Sequence, residues 1–229
     1  ININMNVLES SRLVNVDKLL CFMSTCVFPD ECEYPLKPKD LHNGPPHPSN
    51  FGYAYAKRML QVQCNAYRKE WGCNYIVGIP SNIYGPGDNF SLEEGHVLPA
   101  LIHRIYQAKV ANKPLDVWGS GNPLREFIHS SDIANLSLWA LKSYNDEEPL
   151  IMTSGIETSI KDAVNIIAKH FNFEHEIIFD TSKPDGQFRK PSDTSKLEKC
   201  LPNFIWKSLD EGIFETVDWF MTNYPKIRL

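Results

Sequence analysis

The chain has 229 residues, enough for one large domain or a body with a smaller lobe, and long enough to bury a sizeable core. Hydrophobic residues make up 42% and charged residues 22%, the proportions of a globular protein, which excludes disordered, collagen-like and coiled-coil chains. The formal net charge of −5 argues against an extended nucleic-acid surface and leaves only a local basic pocket open.

No stretch has the apolar length needed to cross a bilayer, so no membrane partner is expected. The six cysteines, at 21, 26, 32, 64, 73 and 200, include no CxxC pair and no His partner at zinc spacing, so neither a metal site nor a disulfide scaffold is expected. Most are read as small buried hydrophobes of a cytoplasmic protein. The chain opens on Ile1 in what reads as the middle of a helix, so a longer parent polypeptide is expected.

The first dozen residues set Ile3, Val7 and Leu8 on one helical face, and the apolar run within 14–26 then has strand character. Residues 35–50 (PLKPKDLHNGPPHPSN) hold too many breakers for a regular element. Residues 51–71 carry Tyr53, Lys57, Leu60 and Cys64 at helical spacing, with Gly72 placed as a C-cap. A buried strand follows at 73–80, then a helix at 97–110, strands at 115–119 and 125–129, and a helix at 132–144. Strand 149–153, helix 159–171, strand 176–180 and helix 209–222 complete the reading. Strands alternating with helices define an α/β protein built on a parallel sheet, whose ligands bind at the carboxyl ends of the strands. Those ends fall at Met23–Cys26 and Ile79–Ile83.

Tyr53 and Lys57 stand one helical turn apart and project from the same face. An ammonium beside a phenol favours the phenolate, so Lys57 is expected to bring Tyr53 closer to proton-transfer chemistry. The pair alone also fits an ordinary amphipathic helix. Its setting is more specific, between a strand ending in Ser24-Thr25-Cys26 and one ending in Pro80-Ser81-Asn82. With Tyr84-Gly85-Pro86, Val117-Trp118-Gly119-Ser120-Gly121 and Arg125-Glu126-Phe127-Ile128-His129, this setting resembles the nucleotide-sugar branch of the extended short-chain dehydrogenase/reductases.

Within that branch, STCVFP (24–29), HNGPPHPSNFGYAYAKRM (42–59), PSNIYGPGDNF (80–90), GHVLPALIHR (95–104), VWGSGNPLREFIH (117–129) and FDTSKPDGQFRK (179–190) resemble the 3,5-epimerase-4-reductases of GDP-4-keto-6-deoxy-D-mannose. The resemblance implies a partial Rossmann-type doubly wound sheet lacking its N-terminal strands, a smaller C-terminal substrate lobe, NADPH/NADP as coenzyme and a homodimer. Residues 1–90 and part of 115–150 would be the remainder of the NADP-binding domain, and 91–114 and 150–229 mainly the GDP-sugar lobe. Cys26 and His96 would be the acid/base pair that inverts carbons 3 and 5. Ser24 would hydrogen-bond the ketone oxygen, Tyr53 would protonate it as hydride arrives, and Lys57 would orient the nicotinamide ribose. Pro80, Asn82, Ile83 and His96, with Tyr53 and Lys57, would contact the coenzyme. Asn82, Val97, Leu101, Arg104, Trp118, Arg125 and Lys190 would contact the GDP-sugar. Asp185 is read equally as a turn residue or a ligand.

Three plainer readings stand beside these: Cys26 as a core thiol, His96 as a helix-start residue, and the arginines as solvated surface groups. No G-x-x-G-x-x-G turn occurs in the chain, so the coenzyme's pyrophosphate has no cradle in this sequence. The alternatives are therefore a truncated chain that only binds GDP-sugar, or another nucleotide-sugar epimerase or dehydratase.

Overall fold

The computed structural model describes residues 1–229. In chain order the elements are α1 (Asn2–Leu13), β1 (Leu19–Phe22), α2 (Phe51–Trp71), β2 (Tyr75–Pro80), β3 (Asn82–Tyr84), α3 (Val97–Ala111), β4 (Leu115–Trp118) and β5 (Leu124–His129). They continue as α4 (Ser130–Ser143), β6 (Leu150–Met152), β7 (Glu157–Ser159), α5 (Ile160–Phe171), β8 (Ile177–Asp180), α6 (Ser195–Cys200) and α7 (Leu209–Asn223). The chain forms two interleaved units: Ile1–Ser81 with Ile133–Gly155 and Pro191–Phe204, and Asn82–Asp132 with Ile156–Lys190 and Ile205–Leu229.

In the first unit β1, β2 and β6 pair in parallel in that order. β2 is buried at every position, which is why its sequence is a continuous apolar run rather than an alternating one. α2 stops at Gly72, whose left-handed backbone (φ +67°) lets its N–H reach the Arg68 carbonyl and the Cys73 N–H reach that of Tyr67. The core gathers Leu8, Val27, Phe28, Leu60, Cys64 and Ile79. Of the apolar face expected on the first helix only Leu8 is buried; Ile3 is 79% exposed and Val7 is exposed as well. Of the cysteines, only Cys21 and Cys64 are buried: Cys26 sits in a single 3₁₀ turn, Cys32 in a loop, Cys73 between α2 and β2, and Cys200 ends the short surface helix α6. Residues 35–50 contain only two single turns of 3₁₀ helix, Pro38–Asp40 and Pro48–Asn50, each with proline in its first turn.

In the second unit β3 and β5 pair in parallel, β7 lies antiparallel to β5, and β4 pairs in parallel with β8. The antiparallel β7 departs from an all-parallel sheet; it follows Gly155, which turns the chain at φ +72°. A separate core lies among α3, α5 and α7, with Leu98, Ile102, Ile105, Ile167 and Phe220 at its centre. α7 is started by a capping box in which Ser208 and Glu211 satisfy each other's backbone N–H groups.

Candidate active site

Parallel pairing brings the carboxyl ends of β1 and β2 to the same edge, with Phe22 opposite Gly78 and the Met23 N–H donating to the Gly78 carbonyl at 2.9 Å. Beyond Phe22 the chain turns. Ser24, in extended backbone, caps a 3₁₀ turn over Thr25–Val27, and its Oγ accepts from the Cys26 N–H at 3.3 Å. Cys26 is half-buried and free. Pro80 ends β2, and Ser81 Oγ donates to Thr153 Oγ1 at 3.0 Å, fastening that strand end to the residue after β6.

Tyr53 and Lys57 do share a face of α2. The Lys57 Nζ donates to the Phe22 carbonyl at 2.8 Å and lies 6.0 Å from the centroid of the Tyr53 ring. Tyr53 is 49% exposed. Its phenol is raised above the usual value of 10, first by burial and then by the charge of Cys26, with a Ser24 hydrogen bond acting in the opposite direction. The expected lowering by Lys57 is therefore not what this geometry produces: its Nζ stands 6.0 Å from the ring centroid, and burial of the phenol prevails. Ser24, Cys26, Tyr53 and Lys57 meet at the end of β1, and the phenol there holds its proton at neutral pH.

The second unit carries the other nominated residues. His96 is exposed and occupies the N-cap position of α3, without a side-chain capping bond. Asn82 Nδ2 donates to the Glu126 carbonyl at 2.8 Å, so this amide joins β3 to β5, and Ile83 is partly exposed beside it. Val97, Leu101, Arg104, Trp118 and Arg125 all line one cavity of about 820 Å³. Lys190 lies outside that lining.

Trp118 is 64% exposed and flanked by two cations, with Arg104 Cζ at 5.3 Å and Lys183 Nζ at 5.8 Å from its ring. Arg125 Nη1 donates to the Leu124 carbonyl at 2.7 Å. The cavity thus combines an indole face, apolar side chains from α3 and fixed guanidinium groups, a set suited to a flat base and a phosphate.

Asp185 lines the same cavity and also clamps a turn beside it. Its Oδ1 accepts from the Ser120 N–H at 2.6 Å and its Oδ2 from the Ser120 hydroxyl at 2.8 Å. This clamp holds the turn that contains Gly119 and Gly121, at φ +84° and +76°, directly after Trp118. A Cβ on Gly119 would lie 2.3 Å from Asp185 Oδ1, so only glycine fits.

Lys183 and Glu93 at this site were not singled out by sequence reasoning. Lys183 stands inside the motif at 179–190, where its charge could have drawn notice; Glu93 carries no pattern. No group of His, Cys, Asp or Glu side chains is arranged to hold a metal ion.

Residues 1–155 match the NAD dependent epimerase/dehydratase family. The chain is 45% identical over its whole length to the GDP-L-fucose synthase of Dictyostelium discoideum, covering 72% of that protein. Against the GDP-L-fucose synthase of Escherichia coli it is 33% identical over 99% of its length, covering 73% of that protein. The crystal structure of a GDP-L-fucose synthetase from Naegleria fowleri bound to NADP superimposes with a TM-score of 0.98 at 42% identity, covering all of this chain and 70% of the other. The chain belongs to the NAD dependent epimerase/dehydratase family and, within it, to the GDP-L-fucose synthases.

Proposed function

We propose that the protein makes GDP-L-fucose from GDP-4-keto-6-deoxy-D-mannose, by inversion at carbons 3 and 5 followed by reduction of the 4-ketone. The observation that carries this reading is the cavity on which Arg104, Arg125, Trp118, Val97 and Leu101 converge. In this reading the first unit is the coenzyme side and the second holds the GDP-sugar.

The ketone acidifies the hydrogens on both flanking carbons. Cys26 as thiolate removes one of these protons, leaving the electrons in an enolate, and His96 as imidazolium returns a proton to the opposite face. Tyr53, whose pKa is raised, then donates its proton to the ketone oxygen, with Ser24 hydrogen-bonding the same oxygen. NADPH, when bound, supplies the hydride to carbon 4. Tyr53, Lys57, Pro80, Asn82, Ile83 and His96 would hold its nicotinamide end. The fit is supported by Lys57, which is locked onto the strand end with Tyr53 half-exposed beside it. Lys190 completes the nominated GDP-sugar contacts.

A homodimer is part of the proposal. Phe51, Tyr55, Met59 and Val62 form an exposed apolar stripe along α2 at spacings of three and four, of the kind a second copy covers. A cytoplasmic location fits six cysteines with no disulfide among them; no helix is long and apolar enough to cross a membrane.

The test is to incubate the protein with the keto sugar nucleotide and NADPH, following loss of NADPH absorbance and identifying the product. GDP-L-fucose is the expected product. Binding of the sugar nucleotide without turnover would replace this reading with that of a binding-only chain, and reduction of the ketone with carbons 3 and 5 uninverted would remove the epimerase half of it.

A further inference from the structure

Arg58, the residue after Lys57, is only 5% exposed. A guanidinium so deeply buried is ordinarily paired with a carboxylate. Arg58 makes no ion pair. Its Nε donates to the Val27 carbonyl at 2.6 Å and its Nη1 to the Gly44 carbonyl at 2.7 Å, while Nη2 is buried with no hydrogen-bond partner. Burial lowers its pKa from the ordinary arginine value, with the Tyr55 ring 5.4 Å from Cζ on one side.

The two carbonyls belong to different segments. Val27 is the last residue of the single turn that carries Cys26, and Gly44 lies in the breaker-rich loop. These segments touch again where the Asp30 N–H donates to the Pro45 carbonyl at 2.9 Å and where Pro29 bridges to Pro46. A Cβ on Gly44 would stand 3.3 Å from Pro29 Cβ, so their approach is already close. The Cys26 turn is consequently held at both ends, by the Ser24 hydroxyl on the Cys26 N–H and by Arg58 on the Val27 carbonyl.

We propose that Arg58 is a positioning residue for Cys26, and that its fork ties the Cys26 turn to the 41–50 loop so that the thiol keeps one placement. The proposal rests on the reading of Cys26 as an acid/base group. Burying an unpaired cation costs stability, so an apolar side chain would serve mere packing better. A planar fork, unlike an apolar group or a point charge, takes carbonyls from two segments at once.

The experiment compares Arg58→Gln and Arg58→Lys with the wild-type protein in three measurements: thermal unfolding, exchange of the substrate's carbon-bound hydrogens with D₂O, and peptide-resolved alkylation of Cys26 by iodoacetamide. In Arg58→Gln the maximal exchange rate is expected to fall about 100-fold, the consequence of a misplaced reacting group, with KM unchanged. Cys26 alkylation should rise about tenfold as its turn loosens, while exposed Cys200 reacts as before. Arg58→Lys should recover part of both. Wild-type exchange and wild-type Cys26 alkylation in a folded variant would overturn the proposal, as would a loss of exchange that only tracks the folded fraction. If Arg58→Gln does not fold, Arg58→Lys decides by the same readouts. Cys26→Ser is the separate control: wild-type exchange there removes the acid/base reading, while alkylation in the Arg58 variants still reports whether Arg58 fixes the turn.

Discussion

Cys26 and Tyr53 lie close enough that a thiolate at Cys26 raises the pKa of the Tyr53 phenol, in addition to the larger effect of burial. The nominated base and the nominated proton donor are therefore electrostatically linked at the end of β1. A thiolate waiting there as base makes the neighbouring phenol hold its proton more firmly, which keeps Tyr53 protonated until the inversions begin.

Cys26→Ser tests this link. Solvent exchange of the carbon-bound hydrogens should fall by about 10²- to 10⁴-fold, the range for loss of a general base. Tyr53 should also titrate at lower pH, since one of the groups raising it is gone. Reduction needs the protonated phenol, so the alkaline limb of its pH–rate profile should move downward. An unmoved limb in a folded variant would show that burial alone sets Tyr53.

The indole of Trp118 and the two nearby arginines should govern affinity rather than chemistry. Arg125→Ala should weaken GDP binding by roughly tenfold or more, the worth of a charge-assisted hydrogen bond to phosphate. Trp118→Ala should also weaken it, since a flat base loses its stacking surface. Calorimetric titration with GDP measures both without requiring turnover.

Gly119→Ala should damage the same cavity from behind. The new Cβ meets Asp185 Oδ1 at 2.3 Å and the backbone is at φ +84°, so the clamp on Ser120 must open. A cost of about 1–3 kcal/mol in stability is expected from the strained backbone. Asp185→Ala, which removes the acceptor but keeps the glycine, should leave the fold intact and raise the GDP-sugar KM, because the turn after Trp118 loses both bonds to Ser120. Urea unfolding and initial-rate kinetics separate the two effects.

Much of this architecture is legible in the residues. α2 announces itself through helical spacing and Gly72, and the burial of β2 through an unbroken apolar run. The three-residue strands β3 and β7 escape detection because alternation cannot register over so short a length. The face bearing Ile3 and Val7 misleads, since helical periodicity names an apolar stripe without saying that anything covers it. At the site, the Tyr53/Lys57 spacing is visible, whereas the Lys57 bond to Phe22 and the Arg58 bonds to Val27 and Gly44 are not. Those partners are backbone carbonyls 14 to 35 residues away, and carbonyls leave no mark on a sequence.

His129 offers the last test, one of stability. It ends β5, is buried, and its Nδ1 accepts from the Ser131 N–H at 3.3 Å, while Nε2 has no hydrogen-bond partner and stands 3.7 Å from Glu215. Burial and then the Lys207 charge lower its pKa from the usual 6.5, with Glu215 and Asp132 opposing them. The folded state therefore resists protonating this ring, and the unfolded state binds the extra proton as pH falls below 6.5. Stability from this residue is complete above 6.5 and declines as pH drops from there toward the lower folded value, by at most about 1.4 kcal/mol per pH unit. His129→Asn keeps an acceptor for Ser131 and removes the titration. Its unfolding free energy should be lower than wild type at pH 7.5 and should fall less steeply between pH 6.5 and 5. Parallel slopes for the two proteins would show that other groups carry the acid sensitivity.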